Sequence, residues 1–90
     1  MSWEVVATEA FSAEFRKFER HKEFVDALDK KIKKLIEDPT SIGAFLSGRL
    51  HGYKSMRLVK NFRIVFRLSL QDQKVYLIAI DHRKNDYENF

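Results

Sequence analysis

Arginine and lysine side chains gather in the middle third of this 90-residue chain, where no acidic residue opposes them. Residues 39–71 hold six basic residues and no Asp or Glu, so this segment carries +6 while the rest of the chain carries −2, which together give the net charge of +4. Such a concentration of positive charge attracts an anionic partner, and the phosphate backbone of a nucleic acid is the commonest one. The six basic residues are Arg49, Lys54, Arg57, Lys60, Arg63 and Arg67.

Side chains suited to acid–base chemistry follow at residues 82–87, which include His82, Arg83 and Tyr87. A guanidinium binds phosphate through paired N–H donors and stabilises negative charge that grows on it. Tyr or His can move protons or stack on a base. Cleavage of RNA by its own 2′-hydroxyl needs a base, an acid and a cationic clamp on the phosphate, and it requires no metal. The basic segment holds no pair of carboxylates, which argues against a two-metal nuclease.

Alternation of apolar residues with others over residues 62–69 predicts a β-strand that carries two of the arginines. Arg63 and Arg67 are four residues apart, so they point to the same face of the sheet. A two-residue hairpin loop would pair Val59 with Phe62 and place Lys54 on the same face as Arg63 and Arg67. A loop longer by one residue would bring Arg57 there instead. The sequence leaves both registers open, and either one gives a cationic face.

The elements that position these residues begin with a strand over residues 3–8, followed by two helices. Ser12 is the expected cap of the first helix. The second helix carries apolar residues at helical spacing from Val25 to Ile36 and ends at Pro39. One short helical turn is expected in the loop that follows, at Ile42, Phe45 and Leu46.

A three-stranded meander is predicted over residues 53–59, 62–69 and 75–81. The last strand is apolar almost throughout, so we expect it to be central and buried on both faces. The fold class is therefore α+β: an N-terminal strand, a two-helix hairpin and a three-stranded antiparallel meander, with the helices packed on one face of the sheet. Three aromatic residues of the helices belong either to the core or to a groove for a partner; they are Phe15, Phe18 and Phe24.

Length and composition predict one small domain spanning residues 1–90. Hydrophobic residues make up 44% of the chain and charged residues 33%, which is typical of a globular protein rather than a disordered one. The absence of Cys excludes disulfides and thiolate metal sites. No apolar run approaches the ~20 residues of a membrane span, and the N-terminus lacks the apolar region of a secretory signal. A cytoplasmic location is expected.

Three short motifs and a tyrosine resemble the RelE/ParE toxin superfamily of toxin–antitoxin systems. They are residues 52–57 (GYKSMR), 61–66 (NFRIVF) and 81–83 (DHR), together with Tyr87. Residues 1–39 agree with that family's opening strand and helical hairpin, so the resemblance covers nearly the whole chain. The step of six residues from Arg57 to Arg63 looks like the YoeB and HigB branches.

In RelE-like members the implied activity is cleavage of mRNA in the ribosomal A site, which a cognate antitoxin protein blocks. The resemblance implies no metal and no cofactor. It implies that Arg63 and Arg83 stabilise the transition state at the scissile phosphate. His82 and Tyr87 would assist proton transfer or stack on the substrate, and Lys54 falls on a basic strand position of the family's site. The RNA backbone would be held by Lys54, Arg57, Lys60 and Arg67.

Two positions depart from the family's pattern. Met56 stands where the best-known RelE has a second basic residue, and Ala44 stands where the YoeB and HigB branches often carry a Glu that acts as the base. Without that carboxylate, the role of the base falls to His82, Tyr87 or Lys54.

The residues leave two other functions open. The ParE branch shares the fold and is thought to act on DNA gyrase, so one alternative is a ParE-like inhibitor that cleaves nothing. The other is a relative that binds RNA but has lost its base. At the level of one residue, Arg63 has a competing role as the ion-pair partner of Asp81 or Asp86.

Overall fold

The computed structural model describes residues 2–45, 52–59 and 61–82, which form two α-helices and a five-stranded mixed sheet. In chain order the elements are β1 (Glu4–Ala7), α1 (Glu9–Arg16), α2 (Lys22–Glu37), a 3₁₀ helix (Pro39–Ser41), β2 (Ala44–Phe45), β3 (Tyr53–Arg57), β4 (Phe62–Ser69) and β5 (Lys74–His82). The strands lie in the order β1-β5-β4-β3-β2, with β1 parallel to β5 and all other neighbours antiparallel. The α+β class and the antiparallel meander are confirmed, and β2 is a fifth strand that the sequence does not predict.

Helix α1 begins earlier than predicted, because its cap is Thr8 and not Ser12. The Thr8 Oγ1 accepts a hydrogen bond from the backbone N–H of Phe11 (3.2 Å) and donates one to the carbonyl oxygen of Leu77 in β5 (2.7 Å). The same hydroxyl therefore caps the helix and ties it to the sheet. Within the described residues, neither helix is long and apolar enough to cross a membrane.

The core lies between the two helices and one face of the sheet. Phe24 of α2 is 1% exposed, and its ring lies 4.8 Å from that of Phe62 and 5.4 Å from that of Phe18, measured between centroids. Phe24 therefore belongs to the core, while Phe15 and Phe18 are half-buried and pack against it. The other fully covered members are Leu35, Ile64, Phe66, Val75 and Leu77. This arrangement confirms the prediction of helices on one face of the sheet.

Strand β5 lies between β1 and β4, so its predicted central position is correct. Its predicted burial on both faces is wrong. Val75 and Leu77 are buried against the helices, whereas Tyr76 between them is only half-buried on the opposite face. Among the described residues no second layer of helices covers that face, and polar side chains can therefore use it.

The segment after the 3₁₀ helix is extended, and the predicted helical turn at Ile42 and Phe45 is wrong; Leu46 lies outside the described residues. Gly43 has a φ of +75°, and a Cβ atom at this position would collide with the carbonyl oxygen of Ser55. Only glycine permits this close approach without strain. The approach brings Ala44 opposite Ser55, and β2 forms at the edge of the sheet.

Candidate functional site

The register of the β3–β4 hairpin decides which basic residues share a face. The Leu58 N–H donates to the carbonyl oxygen of Phe62 (2.9 Å), and the Phe62 N–H donates to that of Val59 (3.1 Å). Three residues therefore connect the paired positions 58 and 62, and Arg57 lies directly opposite Arg63. Of the two registers that the sequence leaves open, the structure has the one with the longer loop.

The face of the sheet that points away from the helices is called the outer face here. Its members around the arginines include Tyr53, Ser55 and Arg57 on β3, Arg63, Val65 and Arg67 on β4, and Tyr76, Ala79 and Asp81 on β5. The register shifts between Val65 and Phe66, which leaves Ile78 of β5 without a partner on β4. Arg57 and Arg63 are direct cross-strand neighbours, which places their Cβ atoms about 5 Å apart. Arg67 lies four residues from Arg63, or about 13 Å along the same strand. Arg57 and Arg67 are exposed and Arg63 is half-buried.

The outer face places two positive charges side by side, with the carboxylate of Asp81 in the same row on the far side of Arg63. Like charges directly opposite each other on a sheet repel, so Arg57 and Arg63 together favour an anion that lies near both of them. Ion pairs among the described residues join Glu14 to Lys17 and Asp29 to Lys33, and none involves an arginine of this face. An anion with several oxygen atoms, such as a phosphate diester, could accept hydrogen bonds from both guanidiniums at once.

The competing role of Arg63 as an ion-pair partner concerns Asp81, which lies opposite Arg63 in the register. Within the part of the chain that the structure describes, Arg63 and Asp81 do not form a salt bridge with each other. Asp81 is nevertheless a half-buried carboxylate in the same row as Arg63 and Arg57. The sequence suggests Asp81 only as an ion-pair partner of Arg63, because its position opposite that arginine depends on the pairing of β4 with β5. Asp86 lies outside the described residues.

Lys54 lies on the opposite face from the arginines, because it neighbours Arg57 at an odd spacing on β3. Its side chain is 3% exposed, and its Nζ donates hydrogen bonds to the carbonyl oxygens of Thr40 (3.0 Å) and Pro39 (3.4 Å). The ammonium also lies 5.0 Å from the ring centroid of Phe45. These contacts fasten the 3₁₀ helix and β2 to the sheet. The structure thus separates Lys54 from the other residues with which the sequence groups it.

Lys54→Met should lower the free energy of unfolding by about 1–3 kcal/mol, because the carbonyl groups of Pro39 and Thr40 lose their donor. The same variant should retain the activity of the outer face, since the lysine does not reach it. Urea denaturation measures the first effect and an activity assay the second. Loss of activity at unchanged stability would show instead that Lys54 is catalytic, as the sequence predicts.

Burial lowers the pKa of Lys54 below its ordinary value of 10.5, and the negative charge of Asp38 opposes this only in part. Between the folded-state pKa and 10.5 the unfolded chain binds more protons, so stability increases with pH across that range. The wild-type chain should therefore gain stability relative to Lys54→Met as the pH rises towards 10.5. Denaturation of both proteins in parallel removes the contribution of groups that they share.

Of the remaining predicted site residues, the structure describes His82 alone. His82 ends β5 opposite Phe62, beside the row that holds Arg63. Lys60, Arg83 and Tyr87 lie outside the described residues. Of the two departures from the family's pattern, Met56 is buried on the helix side at 2% exposure, and Ala44 lies at the edge of the sheet opposite Ser55. The position of the missing Glu therefore adjoins the outer face.

The sequence matches the model of one protein family, the ParE toxin of type II toxin–antitoxin systems (parDE), over residues 5–87. No curated protein matches the chain by sequence.

Solved structures of toxins share this fold. A chain of the toxin–antitoxin complex RelBE2 from Mycobacterium tuberculosis has a TM-score of 0.79 at 20% identity, covering 92% of this chain and 100% of that one. The YoeB/ParE toxin from Agrobacterium tumefaciens has a TM-score of 0.76 at 23% identity, covering 89% and 98%. A mutant of Escherichia coli RelE in the free state has a TM-score of 0.74 at 19% identity, covering 97% and 90%. With its fold and nearly its whole length matched, this chain belongs to the ParE toxin family of type II toxin–antitoxin systems, within the RelE/ParE superfamily.

Proposed function

We propose that the chain is a metal-independent endoribonuclease toxin that cleaves mRNA, on the ribosome, and thereby inhibits translation. The observation that carries this proposal is the pair Arg57 and Arg63, which lie side by side on the outer face as direct cross-strand neighbours. A phosphodiester is an anion whose oxygen atoms can accept hydrogen bonds from such a pair. Arg67 extends the same cationic face along β4.

The proposed reaction uses the RNA's own 2′-hydroxyl as the nucleophile. A base removes its proton, the 2′-oxygen attacks the adjacent phosphorus, and the bond to the 5′-oxygen breaks as an acid returns a proton to it. The products are a 2′,3′-cyclic phosphate and a 5′-hydroxyl. Negative charge grows on the phosphorane oxygens, where fixed guanidiniums stabilise it. We assign this role to Arg63 and Arg83, and the proton transfers to His82 and Tyr87.

Binding of the RNA backbone is assigned to Arg57, Lys60 and Arg67. Lys54 is left out of this set, because its ammonium is buried on the helix side and already bonded to two carbonyl groups. Lys54 contributes to the site only indirectly, because its contact with Phe45 helps to hold β2 beside β3. Cleavage of mRNA would take place in the cytoplasm.

We further propose that a cognate antitoxin protein inhibits the toxin by covering these surfaces. The RelBE2 structure that shares the fold is a toxin–antitoxin complex, and a YoeB structure from Staphylococcus aureus with this fold is a complex with YefM. A groove of about 630 Å³ between β1 and the helices offers apolar surface to such a partner. Its apolar lining includes Trp3, Val5, Phe11, Phe15, Leu28 and Ile32.

The second candidate function is inhibition of DNA gyrase without cleavage of RNA, and the match to the ParE family model favours it. Mapping of cellular RNA 5′ ends after brief expression of the chain separates the two. Endoribonuclease activity predicts new ends within coding sequences and an immediate stop in protein synthesis. A DNA-damage response with intact mRNA would overturn the proposal in favour of gyrase inhibition. RNA binding without new ends would indicate a relative that has lost its catalytic base.

A further inference from the structure

A second group of side chains lies on the outer face, at the end away from Arg57 and Arg63. The register places Arg67 between two tyrosines, with Tyr53 opposite it on β3 and Tyr76 opposite it on β5. The guanidinium carbon of Arg67 lies 5.1 Å from the ring centroid of Tyr76. This row therefore joins two aromatic rings and a planar cation across three adjacent strands.

All three residues of this row are at least partly accessible to a ligand. Arg67 is exposed, while Tyr53 and Tyr76 are half-buried on the same face. The guanidinium of Arg67 thus lies near the Tyr76 ring while its side chain remains accessible to solvent. Nucleic-acid bases stack on tyrosine rings and on guanidinium planes, and this stacking tolerates any base because each has a π-face.

We propose that Tyr53, Arg67 and Tyr76 form a base-stacking subsite for single-stranded RNA, next to the phosphate site of Arg57 and Arg63. This inference rests on the proposed function and adds to it a contact with a base, which Arg67 makes in addition to the positive charge that it offers to the RNA backbone. The two sites lie about 13 Å apart along β4, so a single phosphate cannot reach both. The base that stacks here belongs to a nucleotide near the cleaved linkage.

The row between the two sites is compatible with a strand of RNA that passes over it. It contains Ser55, Val65 and Ala79, which carry no charge, and the register shift between Val65 and Phe66 adds the half-buried, uncharged Ile78 of β5 beside Ala79. Among these residues no charged side chain separates the arginine pair from the stacking subsite. The simpler alternative is that Arg67 and Tyr76 only fasten β4 to β5 as cross-strand neighbours.

Arg67→Lys tests the subsite, because it preserves the positive charge and removes the planar group. The probe is a fluorescent single-stranded RNA of twelve nucleotides with every 2′-hydroxyl methylated, so that the toxin cannot cleave it. A second set of probes carries one abasic nucleotide at each position in turn. Arg16→Lys, an exposed arginine at the end of α1, is the matched control. Thermal unfolding of each variant verifies its fold.

The expected result is that Arg67→Lys binds the RNA about 10-fold more weakly than the wild type, with the salt dependence unchanged. An abasic nucleotide at one position should weaken wild-type binding to a similar extent and have no further effect on Arg67→Lys. Arg16→Lys should bind as the wild type does.

Wild-type affinity in Arg67→Lys, or an equal abasic effect in both proteins, would overturn the subsite. If RNA cleavage still depends on Arg63 in that case, the proposed function stands and only the stacking subsite fails. If the wild-type chain binds no RNA at all, both fail.

Discussion

Arg63→Ala should lower the rate of RNA cleavage by about 10²–10³-fold, the effect of removing one fixed donor that stabilises charge in a transition state. Arg63 lies on the outer face beside Arg57 and is only half-buried, so its removal does not open a cavity in the core. The variant should therefore unfold at nearly the same denaturant concentration as the wild type. Single-turnover cleavage of mRNA bound in the ribosomal A site measures the rate.

Arg16→Ala provides the control for this experiment, because it removes an exposed arginine from α1. It should leave the cleavage rate unchanged and so exclude a general effect of net charge. Arg63→Lys should recover part of the activity, since an ammonium keeps the charge but lacks the paired donors of a guanidinium. An Arg63→Ala variant that unfolds much more easily would indicate a structural role for this arginine. Full activity in a folded variant would remove it from the site.

Phe24→Ala should destabilise the fold by about 3–5 kcal/mol, the cost of a large cavity in a packed core. The ring is 1% exposed and contacts the rings of Phe15, Phe18 and Phe62. A small domain is stable by only about 5–15 kcal/mol, so this single change removes a large part of the total. Urea denaturation followed by circular dichroism measures the loss, with the variant purified at low temperature.

Phe45→Ala is the matched control for this cavity. It deletes the same ring from β2 at the edge of the sheet, where Phe45 is 69% exposed. Its cost should be below about 1 kcal/mol, as for most substitutions at exposed positions. Equal losses in the two variants would mean that Phe24 is not the centre of the aromatic core.

Local patterns in the sequence predict most of the fold. The alternation of Phe62, Ile64 and Phe66 with polar or half-exposed residues correctly indicates β4, and Pro39 correctly marks the end of α2. The cap of α1 shows the limit of such patterns. Both Thr8 and Ser12 are suitable caps by residue type, but only Thr8 also reaches the carbonyl oxygen of Leu77, a contact between positions far apart in the chain.

Which basic residues form the site depends on whether the β3–β4 loop has two or three residues. The basic residues of β3 lie on opposite faces, and the length of the β3–β4 connection decides whether Lys54 or Arg57 joins Arg63. Local propensity does not distinguish the two lengths. The structure shows why the longer connection is compatible with the core: Met56 and Leu58 are buried against the helices in this register, and Lys54 finds two carbonyl acceptors.

The periodicity of the sequence cannot predict the edge strand β2 either, because the strand is two residues long and depends on the close approach of Gly43 to Ser55. The proposed base-stacking subsite likewise depends on how the strands pair in the folded chain. Tyr53, Arg67 and Tyr76 are separated by 14 and 9 positions in the sequence, and only the registers of two hairpins bring them together.

The most direct test of the central claim is an NMR titration of the isotopically labelled chain with the methylated, uncleavable RNA. If the outer face binds RNA, the backbone amides of Arg57, Arg63 and Arg67 and the side-chain Nε–H signals of these arginines should shift as RNA is added, while those of α1 and α2 stay in place. Shifts confined to the helices and their apolar groove, with the arginine signals unchanged, would contradict the account.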